Sequence, residues 1–269
     1  MRDVTAIPPI LLVGFGKMGG AMLAGWREQG LAPSIAIDPS LPPSPGPDVT
    51  VLADAAAIPP SFAPAAVVLA VKPQSADDAL PQYARYAGSA VMLSIMAGRN
   101  ITGLQRLLGA KAAIVRAMPN TPAAVRQGIT VACPAPAVSA AQRGLCDTLL
   151  AAIGKVAWVE DEALIDPVTA VSGGGPAYVF LLAELLEQAA IEQGIPPDLA
   201  RLLARQTVSG SGALLAASPE DSATLRRNVT SPKGTTERAL AVLMEKSAWP
   251  DAVSRAIAAA TARSRELAG

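Results

Sequence analysis

The chain contains no histidine. That absence removes a Ser-His-Asp triad, a Cys-His pair, His-ligated zinc or haem, and any imidazole general acid. It has only two cysteines, Cys133 and Cys146, too few for a disulfide framework. They read as structural or incidental, and no metal is expected. Aromatic residues make up 3% of the chain, and Trp26, Trp158 and Trp249 read as packing residues. Neither sign of charge is in excess: 22 Lys+Arg stand against 22 Asp+Glu. Binding phosphodiesters needs a basic surplus, so nucleic acid is not an expected partner. Apolar runs such as Ala63–Val71 and Ala177–Ala183 fall short of the roughly 18–20 residues that span a bilayer, and no membrane partner is expected. The first residues, MRDVTAIPPI, lack the apolar core of a signal peptide, which predicts a cytoplasmic protein.

What is present is a hydrophobic fraction of 51% in 269 residues, enough for one or two domains with a sizeable core. The first half alternates short apolar runs with helical stretches. Pro9–Val13, Ser34–Ile37, Val49–Leu52, Ala65–Val71, Ala90–Ile95, Ala112–Ala117, Ile129–Ala132 and Val156–Val159 read as strands. Met18–Gln29, with Gly30 as its stop, Ser75–Ala87 and Thr102–Leu108 read as helices between them. The pattern predicts an α/β fold, a doubly wound parallel sheet of Rossmann type. Five prolines between Pro39 and Pro47 mark a surface loop after the second strand. After about Asp166 strands disappear. Ala177–Gln193, Pro197–Ala217, Thr235–Lys246 and Trp249–Leu267 carry helical periodicity, several of them nearly all Ala and Leu. Helices apolar on most sides are buried all round, so another subunit is expected to cover them. The predicted domains are 1–165, dinucleotide-binding, and 166–269, helical.

Gly14-Phe15-Gly16-Lys17-Met18-Gly19 matches G-x-G-x-x-G between an apolar strand and a helix, the context that makes this motif informative. The first glycine permits the tight turn, the second lets backbone approach a pyrophosphate, and the third lets helix and strand pack. Asp38 ends the second strand, where an acid accepts hydrogen bonds from the ribose of NAD. A 2′-phosphate there would meet repulsion, and no arginine stands beside it. Asp38 also fits a turn-forming residue before proline. Ligands of open sheets lie at strand carboxyl ends, here Ala70-Val71-Lys72-Pro73, Met96-Ala97-Gly98 and Met118–Pro122.

Two segments stand out in the helical half. Val171–Tyr178 (VSGGGPAY) carries three glycines before Pro176, which suits a first helical position. Asn228–Thr236 (NVTSPKGTT) is a hydroxyl-rich loop that delivers backbone N–H groups at a helix start, a seat for a small carboxylate or a simple capping loop.

Together, GFGKMGGAM (Gly14–Met22), AVKPQ (Ala70–Gln74), RAMPNTP (Arg116–Pro122), VSGGGPAY and VTSPKGTTERAL (Val229–Leu240) resemble the pyrroline-5-carboxylate reductase family, in the family's order and across almost the whole chain. The resemblance implies reduction of the cyclic imine Δ1-pyrroline-5-carboxylate to L-proline with NADPH or NADH. It also implies a Rossmann domain plus a helical dimerisation domain, in intertwined homodimers that commonly assemble to decamers. By the same resemblance Gly14, Phe15, Gly16, Lys17, Met18 and Gly19 form the cofactor loop. Ala70, Val71, Lys72, Pro73, Met96 and Ala97 line the cofactor further along. Asp54 stands where many members carry a cofactor-contacting Asn, and Asp38-Pro39 replaces the polar or basic residues of NADP-preferring members. Glu162, Ser172, Gly173, Asn228, Ser231, Gly234, Thr235 and Thr236 match substrate-contacting positions. Thr236 is the position whose hydroxyl meets the ring nitrogen, and Lys233 stands where many members have glycine.

An imine that enters already protonated needs no strong general acid, which suits a chain without histidine. Alternatives on the same fold are a reductase of another cyclic imine, a 3-hydroxyacid dehydrogenase-like enzyme, and a non-catalytic dinucleotide sensor. The second wants a lysine in the central region, and none lies between Lys155 and Lys233. The third leaves the Asn228–Thr236 loop without a purpose.

Overall fold

A computed structural model describes residues 7–268. In chain order the elements are β1 (Ile10–Val13), α1 (Lys17–Glu28), β2 (Ser34–Ile37), β3 (Val49–Leu52), β4 (Ala66–Leu69), α2 (Ala76–Ala79), β5 (Val91–Ser94) and α3 (Ile101–Leu108). Then come β6 (Ile114–Met118), β7 (Gly128–Pro134), α4 (Ala140–Ala151), β8 (Gly154–Trp158), α5 (Ile165–Val168), α6 (Gly175–Glu192), α7 (Pro197–Ala217), α8 (Ser222–Asn228), α9 (Thr235–Leu243) and α10 (Trp249–Ala268). The chain divides into two compact units. The first runs to Gly173 and takes back the chain from Ala260; the second is Gly174–Ala259.

The first unit is built on one eight-stranded sheet in the order β3-β2-β1-β4-β5-β6-β7-β8. Its short apolar runs become strands because both faces are covered: β1, β2, β4 and β5 are buried along their whole length. One core layer includes Leu11, Val67, Leu80, Tyr83, Met92 and Leu104. The opposite layer includes Leu12, Met22, Trp26, Val68, Leu93 and Leu149. The Trp26 indole N–H donates to the Leu149 carbonyl at 2.8 Å and ties α1 to α4.

Three sequence expectations need correction here. The sheet is not wholly parallel, because β6 and β7 pair antiparallel, Arg116 opposite Cys133. The expected helix 75–87 is a short 3₁₀ turn, then α2, then a second 3₁₀ stretch Pro81–Tyr86; Pro81 has no N–H to continue the ladder. The helix expected over 235–246 ends at Leu243. Two helices outside the sequence reading have side-chain caps. Ser139 and Gln142 form a capping box on α4, and Asp221 caps α8 through the Thr224 N–H at 2.8 Å. Trp26 is fully buried, whereas Trp249 is 47% exposed and does not serve as core packing within the chain.

The second unit has almost no interior of its own. Among its residues only Ala200 and Ala204 are buried, while Phe180, Leu181, Leu185, Leu202 and Leu214 are exposed. The continuous helical stretch Glu162–Glu192 is also long and apolar enough to cross a membrane by length and composition. This corrects the expectation that no stretch reaches that length: no charged residue lies between Asp166 and Glu184.

Candidate active site

In the first unit β1, β4 and β5 are parallel neighbours, so their carboxyl ends bring three loops to one sheet edge: Gly14–Gly19, Ala70–Pro73 and Met96–Gly98. The glycines do different work. Gly14 has φ +99°, and a Cβ there would lie 2.6 Å from the Ala70 carbonyl oxygen. A Cβ on Gly19 would collide with the Gly14 carbonyl oxygen. Both are glycine because the chain packs against itself. Gly16 is different: nothing lies within 4 Å of the position of its Cβ. The space above it is open, and it sits at the start of α1.

That helix start is bare. Gly16 offers no side-chain cap, and no acid occupies the first turn. The first helical bond runs from the Gly20 N–H to the Gly16 carbonyl at 2.8 Å, which leaves the amides of Lys17, Met18 and Gly19 without a helical acceptor. Free amides and the positive helix end favour a phosphate group. The residues therefore fit a dinucleotide: an open cradle at Gly16, donors at 17–19, and neighbouring loops to line the rest.

Asp38 closes β2 beside this turn. One carboxylate oxygen accepts the Phe15 N–H at 3.1 Å; the other accepts the Ser40 N–H at 2.9 Å and the Ser40 hydroxyl at 2.6 Å. The Ser40 hydroxyl is the main cause that holds its carboxyl below the usual range, so it is ionised at neutral pH. Asp54 is a 3₁₀ N-cap, accepting from Ala56 N–H at 2.8 Å. Lys72 is exposed, Met96 is buried and Ala97 is exposed. Sequence reading missed Arg99, whose guanidinium donates to the Pro73 carbonyl at 2.7 Å and pairs with Asp77 at 2.9 Å. It fastens the Ala70–Pro73 loop to the loop after β5.

Glu162 lies at the far end of the same unit's chain, with its carboxylate engaged. Its Oε1 accepts the Ile101 N–H at 2.8 Å and the Arg116 guanidinium at 2.9 Å. Arg116 is 3% exposed and also faces Asp166 at 3.7 Å, which accepts the Ser264 hydroxyl at 2.8 Å. Asn120 bolts the next turn in place: its amide donates to the Ser172 carbonyl at 3.1 Å and its oxygen accepts the Ile129 N–H at 2.9 Å. The Ser172 hydroxyl donates to the Val168 carbonyl at 3.0 Å. Gly173 leaves room for Met118, whose Cε would stand 2.7 Å from a Cβ there. Arg116, Asn120 and Ser264 were legible only as motif or helix residues; their partners are 46, 52 and 98 positions away.

The second unit holds Asn228, Ser231, Gly234, Thr235 and Thr236. Gly234 caps α9 without a side chain. A Cβ on it would lie 2.9 Å from the Ser231 carbonyl oxygen, to which its own N–H donates at 3.0 Å. Lys233 has φ +61°, and its N–H donates to Glu237 at 2.8 Å. Ser231, Thr235 and Thr236 are exposed. Among the described residues the Thr235 and Thr236 hydroxyls have no hydrogen-bond partner. Asn228 is held by Glu220, which accepts its amide at 3.0 Å; sequence reading missed Glu220. Neither cysteine is a nucleophile candidate: both are buried, and burial pushes the Cys133 thiol up to about 11 and Cys146 up to about 12. Among the described residues no group of His, Cys, Asp or Glu is arranged to hold a metal.

A Rossmann sheet with an open glycine turn, joined to an apolar helical unit bearing its own hydroxyl-rich helix start, defines a dinucleotide-dependent oxidoreductase of the two-unit kind. Comparison narrows the class. Residues 162–267 match the profile for pyrroline-5-carboxylate reductase dimerisation. The pyrroline-5-carboxylate reductase of Pseudomonas aeruginosa is 38% identical over 267 residues, covering 97% of each chain. A solved pyrroline-5-carboxylate reductase from Coxiella burnetii superposes with a TM-score of 0.86 at 31% identity, over 97% of this chain and 98% of that one. The Plasmodium falciparum enzyme, solved with NADP bound, gives 0.80 at 28% identity, over 97% and 100%. The chain belongs to the pyrroline-5-carboxylate reductase family. The match to the dimerisation profile spans the second unit, and the chain is a homo-oligomer.

Proposed function

We propose that this chain reduces Δ1-pyrroline-5-carboxylate to L-proline with NAD(P)H, as the last step of proline biosynthesis. The observation that carries the reading is a pair of helix starts. α3, α4 and α8 are each capped by a side chain, from Asn100, Ser139 and Asp221. The helices opened by the two motifs, α1 and α9, begin at Gly16 and Gly234 with no side-chain cap; α2, α5, α6 and α7 also lack one. The helix-start amides of α1 and α9 suit an anion, a pyrophosphate at the first, where no acid occupies the first turn, and a small carboxylate at the second, where Glu237 does.

When bound, NAD(P)H supplies a hydride to C5 of the C=N bond and leaves as NAD(P)⁺. The imine nitrogen carries its proton in as the iminium, so the charge and proton balance close without a protein acid. The residues contribute position and field. Gly14–Gly19, Asp38, Asp54, Ala70–Pro73, Met96 and Ala97 seat the cofactor. Within the Ser231–Thr236 loop the Thr235 and Thr236 N–H groups hold the carboxylate, since Pro232 has none and those of Lys233 and Gly234 are engaged; Asn228, Glu162, Ser172 and Gly173 are the other substrate-contacting candidates. The Thr236 hydroxyl orients the nitrogen.

In this reading residues 1–165 bind dinucleotide, and residues 166–269 bind substrate and dimerise. The dimers are intertwined and assemble further to decamers. The two free, buried thiols suit the reducing cytoplasm. The test is Thr236→Ala, assayed by NAD(P)H oxidation with five- and six-membered cyclic imines. kcat/KM for the five-membered acid should fall about 10- to 100-fold, as for loss of one oriented hydrogen bond. Unchanged kinetics would remove Thr236 from the mechanism. Preference of the wild type for the six-membered ring would replace the substrate.

A further inference from the structure

The cofactor half of the proposed function leaves open which dinucleotide is used, and the charge pattern around the ribose end decides it. Between Arg27 and Lys72 the chain has no lysine or arginine, yet it has four carboxylates: Glu28, Asp38, Asp48 and Asp54. This stretch includes β2, the proline-rich loop after it and β3. It is the part of a Rossmann sheet that meets the adenine ribose. Cations that reach the stretch from outside are already engaged. Arg27 pairs with Asp48 through Nε, at 3.0 and 2.8 Å to the two oxygens, beside Gly46 of the loop. Arg85 donates to the Ala55 carbonyl at 3.2 Å and lies over the Tyr86 ring at 4.9 Å. Lys72 lies in the loop after β4, which is on the other side of β1 from β2.

Glu28 and Asp48 lie toward the opposite edge of the sheet, paired with Arg126 and Arg27, and only Asp54 shares the carboxyl-end edge with Asp38. The Phe15 N–H and the two Ser40 donors hold the Asp38 carboxylate against the glycine turn. A carboxylate oxygen accepts more than one hydrogen bond, so acceptor capacity remains for ribose hydroxyls. A 2′-phosphate would bring about two negative charges against the Asp38 carboxylate.

We infer that the chain selects NADH over NADPH, and that Asp38 makes the selection. The inference rests on the reductase reading only in requiring that a dinucleotide binds at the glycine turn. Like charges brought together in a site cost affinity, and a tenfold ratio is a modest expression of that cost.

The experiment is equilibrium titration of the full-length protein with NADH and with NADPH, followed by nicotinamide fluorescence and with no imine present. NADH should bind at least about tenfold more tightly, and raising the salt should narrow the ratio by screening the repulsion. Asp38→Ser should reduce the ratio about tenfold while weakening NADH itself, because ribose and Phe15 both lose an acceptor. Ser40→Arg, which replaces a hydroxyl donor to Asp38 with a cation on an exposed loop, should strengthen NADPH binding. Equal affinity or tighter NADPH binding by the wild type overturns the selection and leaves the reductase reading standing. An unchanged ratio in Asp38→Ser removes Asp38 as its cause. Binding of neither dinucleotide brings down both readings.

Discussion

The first unit and the second unit solve the problem of burial in opposite ways. The sheet unit encloses its own apolar residues in two layers, and its largest side chains, Trp26, Tyr83, Met22 and Met92 among them, are fully buried. The helical unit displays Phe180 at 68% and Leu202 at 62% exposure, with only two alanines buried in it. The difference teaches where folding free energy comes from. A helix pair with no buried large side chain gains little from its own packing. Cover from a second copy would supply the burial that the helical unit lacks, and would couple its folding to oligomerisation.

The strongest way to break this comparison is to make the open surface hostile to a partner. Phe180→Asp or Leu202→Asp places a charge in an apolar contact, and in a two-fold interface the change occurs on both sides. Light scattering should show dissociation, with a loss of imine reduction of about 100-fold or more, because two desolvated charges cost several kcal/mol. An oligomer of unchanged mass would show that this surface is not the contact between copies.

Next in size is a contrast inside the closed unit. Gly14→Ala forces an L-residue to φ +99° with its Cβ against the Ala70 carbonyl. A loss of about 3 kcal/mol is expected, read as a lowered denaturant midpoint. Gly16→Ala meets nothing within 4 Å in the chain, so stability should stay near wild type. Its methyl group instead enters the space proposed for the pyrophosphate, and dinucleotide affinity should fall about tenfold or more. Equal loss of stability in the two variants would mean that Gly16, like Gly14, serves only the fold.

The closed unit was also the more legible one. β2 and β3 have the bounds that their apolar runs predict, since turn residues fence each run on both sides. Direction within the sheet was read as parallel throughout, although a signal for the exception existed. Only residues 119–127 separate β6 from β7, too few for a parallel crossover of about a dozen residues or more. The α4 start was likewise written in Ser139 and Gln142. Of the site, sequence reading found the backbone parts, because glycine turns and hydroxyl-rich helix starts are local. It missed the side chains that brace them: Arg99 on Pro73, Asn120 on Ser172, Glu220 on Asn228. Those pairings are made by the folded chain across many positions, and no spacing rule encodes them.

The smallest expected effect concerns strain in the open unit. Lys233 sits at φ +61°, left-handed backbone that costs a residue with a Cβ about 1–2 kcal/mol and glycine almost nothing. Lys233→Gly relieves that cost but adds about 0.5–1 kcal/mol of backbone entropy to the unfolded chain. The net gain should be a few tenths to about 1 kcal/mol, a rise of one to a few degrees in thermal midpoint at this chain length. The Lys233 N–H to Glu237 bond survives, because it is made by the backbone. Kinetics then separates two reasons for keeping a strained lysine beside a carboxylate seat. A raised midpoint with unchanged KM for the imine acid makes the lysine a tolerated replacement. A raised midpoint with a severalfold higher KM makes the ammonium part of the seat, with the strain accepted in exchange for charge. A lowered midpoint would contradict the strain itself.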